Sequence, residues 1–128
     1  MNLFATVYNA SLDGFEAMVG LDFKIDQVYD IDDAMKVAID KNNLKQLTAM
    51  SKELSNFDAI DCGIFKCNFE FFNVLEQFKI NESFSLADGC NYLISAGTMG
   101  GIDIKDSFWM DIDTPESFRE FNNSNFIP

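Results

Sequence analysis

The sequence predicts an α/β fold. Short runs in which apolar residues alternate with polar ones interleave with runs at helical spacing. Of the 128 residues, 48% are apolar and 14 are Phe, enough for a packed core and too much for wholesale disorder. Only 7 Gly and 2 Pro interrupt the chain, and no repeat or low-complexity linker divides it. It reads as one domain or part of one.

Leu3 to Tyr8 alternates as a short strand does. Ser11 can cap a short helix carrying Leu12, Phe15, Met18 and Val19 at helical spacing, with Gly20 as its stop. The alternative, a strand from Met18 to Phe23, stays open. Asp22, Asp26, Asp30, Asp32 and Asp33 follow within twelve residues. They lack the alternating ligands, the glycine and the closing glutamate of an EF-hand, so a solvated acidic loop is expected. Lys36 to Ile39 is strand-like, Asp40 to Asn43 is a turn cluster, and Leu44 to Met50 can return antiparallel. Asp58 to Cys67 is a further strand with Ile60, Cys62, Ile64 and Lys66 at alternate positions. Asn68 can cap a helix whose Phe71, Phe72, Leu75 and Phe78 form a core-facing stripe.

Ser85 and Asp88 have capping-box spacing and open a helix with Leu86, Cys90 and Leu93 on one face, ending at Gly97. Gly89 inside it costs about 1 kcal/mol relative to Ala and suggests a close neighbour. Gly101–Ile104 and Ser107–Ile112 are expected to form a hairpin across Lys105 and Asp106. Thr114 and Pro115 signal a last helix, a hydroxyl N-cap followed by Pro at the first helical position, running to about Asn122.

Composition removes several classes of function. Nine Lys+Arg against 21 Asp+Glu leave a net charge of −12 and no basic stripe, so neither nucleic acid nor an anionic membrane surface is expected as a partner. With no His, the Ser-His and Cys-His dyads and His-ligated zinc are excluded. Cys62, Cys67 and Cys90 are odd in number and widely spaced, which predicts reduced, mostly buried thiols of a cytoplasmic protein. Residues 1 to 13 lack the pattern of a signal peptide, and nothing approaches the ~18 apolar residues of a membrane span. Carboxylates without His favour a hard cation such as Mg²⁺.

The densest candidate site is Phe108 to Glu116. On a strand, Phe108, Met110 and Ile112 would share one face and Trp109, Asp111 and Asp113 the other. Carboxylates two residues apart lie roughly 6.5 to 7 Å apart along a strand. A curve at the strand end would bring both to one cation, and the helix N-terminus beyond favours anions. A polar strand face followed by an N-cap accounts for the same residues.

Segment 109–118, WMDIDTPESF, resembles the W-x-D-I-D-T-P-E-D-(F/L) segment of sugar-phosphate nucleotidyltransferases, especially the inositol-1-phosphate and phosphocholine cytidylyltransferase type. Three further segments follow that family's order. AMKVAID (34–40) resembles its A-T-K-V strand. LTAMSKELSNFDAIDCGIF (47–65) resembles its lysine hairpin and D-A-I-D-x-G-x-F strand. FSLADGCNYLISAG (84–97) resembles its helix before the last hairpin. The resemblance spans roughly residues 21 to 121.

It implies an α/β/α sandwich around a mixed sheet, related to the nucleotide-diphospho-sugar transferases, with this chain matching the C-terminal half. It also implies Mg²⁺ and a reaction between a nucleoside triphosphate and a sugar-phosphate or alcohol-phosphate that releases pyrophosphate. Matched residue by residue, Asp111 and Asp113 correspond to metal-binding acids. Lys52 corresponds to the catalytic lysine that contacts the acceptor phosphate. Asp61 and Gly63 correspond to the D-x-G strand beside the acceptor pocket. The family's Gly-rich triphosphate loop, G-x-G-(T/S)-R with a later K-P-K, does not occur in the chain. The expectation is therefore an acceptor-binding part, inactive alone, that requires a complementing N-terminal chain or covers its apolar faces by homodimerisation. The alternative is a non-catalytic acidic interaction domain built on the same scaffold.

Overall fold

A computed structural model describes residues 2–78, 85–110 and 115–123. The chain runs through helix α1 (Leu3–Asn9), strand β1 (Ala17–Asp22), two short 3-10 turns (Ile25–Gln27 and Ile31–Asp33), and strands β2 (Lys36–Ile39), β3 (Leu47–Ser51) and β4 (Ala59–Cys67). Helices α2 (Phe69–Phe78) and α3 (Leu86–Ala96), strand β5 (Met99–Asp103) and helix α4 (Pro115–Asn123) follow. The strands form one mixed sheet of order β3-β2-β4-β1-β5. Among the described residues only the β1–β5 pair is parallel.

The sheet curls on itself. β3 and β5 lie at its two edges, yet Gln46 bridges Gly100, and the Gly101 N–H donates to the Lys45 carbonyl at 2.7 Å. One face packs Ala17, Val19, Leu21, Val37, Leu47 and Met99 against Phe71, Cys90 and Leu93 of α2 and α3. The other sets Met18 and Ile102 against Val7 of α1. Helices thus lie on both faces, and the expected three-layer sandwich with a mixed sheet is the architecture observed.

The strands from β2 to β4, the Asn68 cap and the capping box of α3 stand where the sequence predicts them. Asn68 Oδ1 accepts the Phe71 N–H at 2.8 Å, and both bonds between Ser85 and Asp88 are made. Gly97 closes α3 in a left-handed conformation, φ 75°.

Other expectations are overturned. Residues 3–9 are helical because Asn2 Oδ1 caps the Ala5 N–H at 2.8 Å, and Leu3 and Val7, one turn apart, then both reach the sheet. Residues 11–14 form a turn, with Asp13 and Gly14 at φ 51° and 87°, so the strand alternative for Met18 onward is correct. Gly20 is no helix stop. A Cβ there would meet Cys62 Sγ at 2.6 Å, and its absence lets β4 approach β1. The predicted hairpin is absent among the described residues: β5 pairs in parallel with β1, and residues 107–110 run without regular structure. The Phe stripe of α2 is only partly core. Phe71 is buried, whereas Phe72 is exposed.

Candidate functional site

Because β1 and β5 are parallel, both end at the same edge of the sheet, where α/β folds commonly bind ligands. A cleft of about 70 Å³ opens there, between Asp22 and Lys24 after β1, Tyr29, Asp30 and Asp33 of the acidic loop, and residues 107–110. Asp22 ends β1 and is 4% exposed. A buried carboxylate needs partners, and Asp22 has three contacts. Its Oδ1 accepts the Lys24 backbone N–H at 2.8 Å and lies 2.9 Å from Lys24 Nζ. Its Oδ2 accepts Trp109 Nε1–H at 2.6 Å. Lys24 Nζ also donates to the Lys105 and Ser107 carbonyls. The acidic stretch is thus divided: Asp22 is a buried strand residue that also lines the cleft, while Asp30 and Asp33 line it from the loop.

The opposite wall is held by Lys36. This buried lysine donates through Nζ to the carbonyls of Ala34 at 3.2 Å and Lys52 at 2.9 Å, tying the acidic loop to the turn after β3. Lys52 lies in that turn, with Nζ 3.2 Å from Asp33 Oδ1. Both side chains are more than half exposed, 51% and 60%, so the pair is weakly held. Lys52 does not itself line the cleft; it contacts the lining residue Asp33.

Asp61 and Gly63 are placed elsewhere, on β4. The pairing of β1 with β4 shifts between Val19↔Phe65 and Leu21↔Asp61, where β4 carries a bulge. Gly63 turns the bulge at φ 82°, and its N–H donates to Asp61 Oδ1 at 2.6 Å. Neither residue lines the cleft. Asp111 and Asp113 lie outside the described residues. Met110, bonded to Asp111, lines the cleft.

Among the described residues, no three His, Cys, Asp or Glu side chains gather as a metal site. Asp30 and Asp33 line the cleft with carboxylate oxygens, the donor type that Mg²⁺ takes, and Asp33 is paired with Lys52. The thiols offer little chemistry. Burial pushes the Cys62 and Cys90 thiols up to about 11, so both stay protonated near neutrality. Sequence reasoning missed Asp22 and Lys24 as parts of the site. The only local sign was an Asp closing an apolar run, because the bond from Asp22 to Trp109 spans 87 positions.

No protein-family model matches the chain. It is 24% identical over 95 residues to the bifunctional IPC transferase and DIPP synthase of Archaeoglobus fulgidus, a match covering 74% of this chain and 18% of that protein. Its fold is similar to the inositol-1-phosphate CTP transferase from T. maritima, with a TM-score of 0.68 and 22% identity over 84% of this chain and 42% of the other. A chain from Bacillus anthracis, assigned as a glucose-1-phosphate thymidylyltransferase and solved with a sucrose, gives a TM-score of 0.63 at 16% identity, covering 85% and 43%. The resemblance expected from the motifs is therefore present in overall sequence and in fold. The chain spans less than half the length of each of these proteins.

Proposed function

We propose that the chain supplies the acceptor- and metal-binding part of a nucleotidyltransferase, which joins a nucleotidyl group from a nucleoside triphosphate to a sugar-phosphate or alcohol-phosphate and releases pyrophosphate. One observation carries the reading. Trp109, which opens the family-like segment, is hydrogen-bonded to a buried carboxylate at the strand-end cleft of a nucleotidyltransferase-like fold.

In this reading Asp111 and Asp113 hold Mg²⁺, which offsets the charge gathering on the phosphates when bound. Lys52 exchanges its exposed pairing with Asp33 for the acceptor phosphate, and Asp61 with Gly63 borders the acceptor. The 128 residues contain no Gly-rich triphosphate loop, so turnover is expected only when a segment that carries one is supplied.

The test is reconstitution with such a segment, followed by Mg²⁺-dependent pyrophosphate release from CTP and an inositol, choline or hexose phosphate. Asp111→Asn keeps the side-chain shape and removes the charge. It should lower turnover by about a hundredfold or more, the size expected when several kcal/mol of charge stabilisation is lost. Asp113→Asn should cost less, and neither change should lower the thermal midpoint appreciably. Intact turnover together with an unfolded Asp111→Asn chain would make the acid structural. Turnover by the 128 residues unaided would refute the need for a complement.

The net charge of −12 favours a second reading, a non-catalytic acidic interaction domain on the same scaffold. Calorimetry separates the two: absence of Mg²⁺ and phosphate binding in the reconstituted pair would select the scaffold.

A further inference from the structure

We infer that Asp22 is a positioning residue: with Lys24 it forms a clamp that fixes segment 105–109, the stretch that leads in sequence to Asp111. The inference rests on the reading of Asp111 as a metal ligand. Its basis is the convergence of the polar contacts. Lys24 Nζ reaches the carbonyls of Lys105 and Ser107, and Asp22 Oδ2 holds the Trp109 indole. Asp22 Oδ1 joins the two halves of the clamp through Lys24 Nζ at 2.9 Å. Residues 107–110 of the segment it holds lie outside the strands and helices.

Lys105 is also left-handed, at φ 56°, a conformation costly for a residue with a side chain. Lys24 binds the carbonyl of that same residue. Replacing a buried ion pair with apolar side chains is often neutral for stability, so the Asp22–Lys24 pair is better explained by the geometry it holds. Asp22 and Lys24 offset each other's charge, so the pair directs the segment without adding net charge to the cleft.

Trp109 is the single tryptophan, so its indole N–H gives one nuclear resonance in the full chain. A clamped indole should be protected from solvent exchange. Asp22→Asn should accelerate that exchange by roughly tenfold or more, the loss expected for a hydrogen bond to a charged group. Lys24→Met, which leaves the Asp22 carboxylate in place, should accelerate it less. Titration with Mg²⁺ alone, followed by Trp109 fluorescence, should show an affinity about tenfold weaker in Asp22→Asn, because a misplaced ligand loses binding that the fold otherwise pre-organises.

If Asp22→Asn fails to fold, Lys24→Met provides both measurements. An indole that exchanges freely in the parent chain, or one unchanged in the variants, would overturn the clamp. Lost protection with unchanged Mg²⁺ affinity would overturn the positioning role. A parent chain whose fluorescence ignores Mg²⁺ would overturn the metal reading, while the exchange rates would still decide the clamp.

Discussion

Asp58 shows how one side chain joins two strands. Its Oδ2 accepts the Ile39 N–H at 2.9 Å, and its Oδ1 lies 3.0 Å from Lys41 Nζ. The bond from Ile39, and then that from Lys41, hold its carboxyl below its ordinary value of 3.8. A depressed folded pKa gives stability that is present above the unfolded value and lost as pH falls through the folded one. Asp58→Asn should therefore cost about 1 kcal/mol at pH 7. The difference from the parent chain should shrink as pH falls below 3.8. Urea unfolding of both chains at neutral and acid pH checks this. Asp61 carries a similar lesson. The D-x-G match drew attention to it as an acceptor contact, and the fold also uses it to brace the β4 bulge through Gly63.

At the scale of elements, caps and close approaches separate local causes from tertiary ones. Ser85→Ala removes one half of the α3 capping box and should lower stability by about 1 kcal/mol. Gly101 has no such local role. A Cβ there would stand 2.3 Å from Leu21 Cδ1 and 3.3 Å from Leu47 Cδ1, with the two leucines 1% and 0% exposed. Gly101→Ala should cost about 1 to 3 kcal/mol through overpacking. Denaturant midpoints of the two variants test both values, and a neutral Gly101→Ala would mean that the β5–β1 core can yield. Phe4 and Tyr8 stack with ring centroids 5.9 Å apart on the outer side of α1, exposed at 68% and 69%. That spacing of four is a helix signal, which the alternating reading of residues 3–8 overlooked.

For the whole molecule, the net charge of −12 dominates. Self-repulsion at this charge weakens the compact state, and salt screens it. The thermal midpoint should rise by about a few degrees between low and moderate NaCl. Mg²⁺ at matched ionic strength should raise it further if a specific site exists, since a ligand that binds only the folded state stabilises it by mass action. Identical midpoints in the two salts would argue against a Mg²⁺ site on this chain.

The residues alone determined β2 through β4, the caps of α2 and α3 and the start of α4. Each depends on neighbours within a few positions, where side-chain period and capping chemistry act directly. They also singled out the motif that resembles nucleotidyltransferases. The tertiary structure decided what that local code leaves degenerate. β1 is buried on both faces, so its continuous apolar run imitates a helix as readily as a strand. The partner of β5 is β1, about 80 residues earlier in the chain, so its parallel pairing left no periodic mark. For the same reason Asp22 read as one more acid in a solvated loop. Only folding the chain brings its carboxylate to Trp109, and a hydrogen bond across 87 positions has no signature in either local sequence.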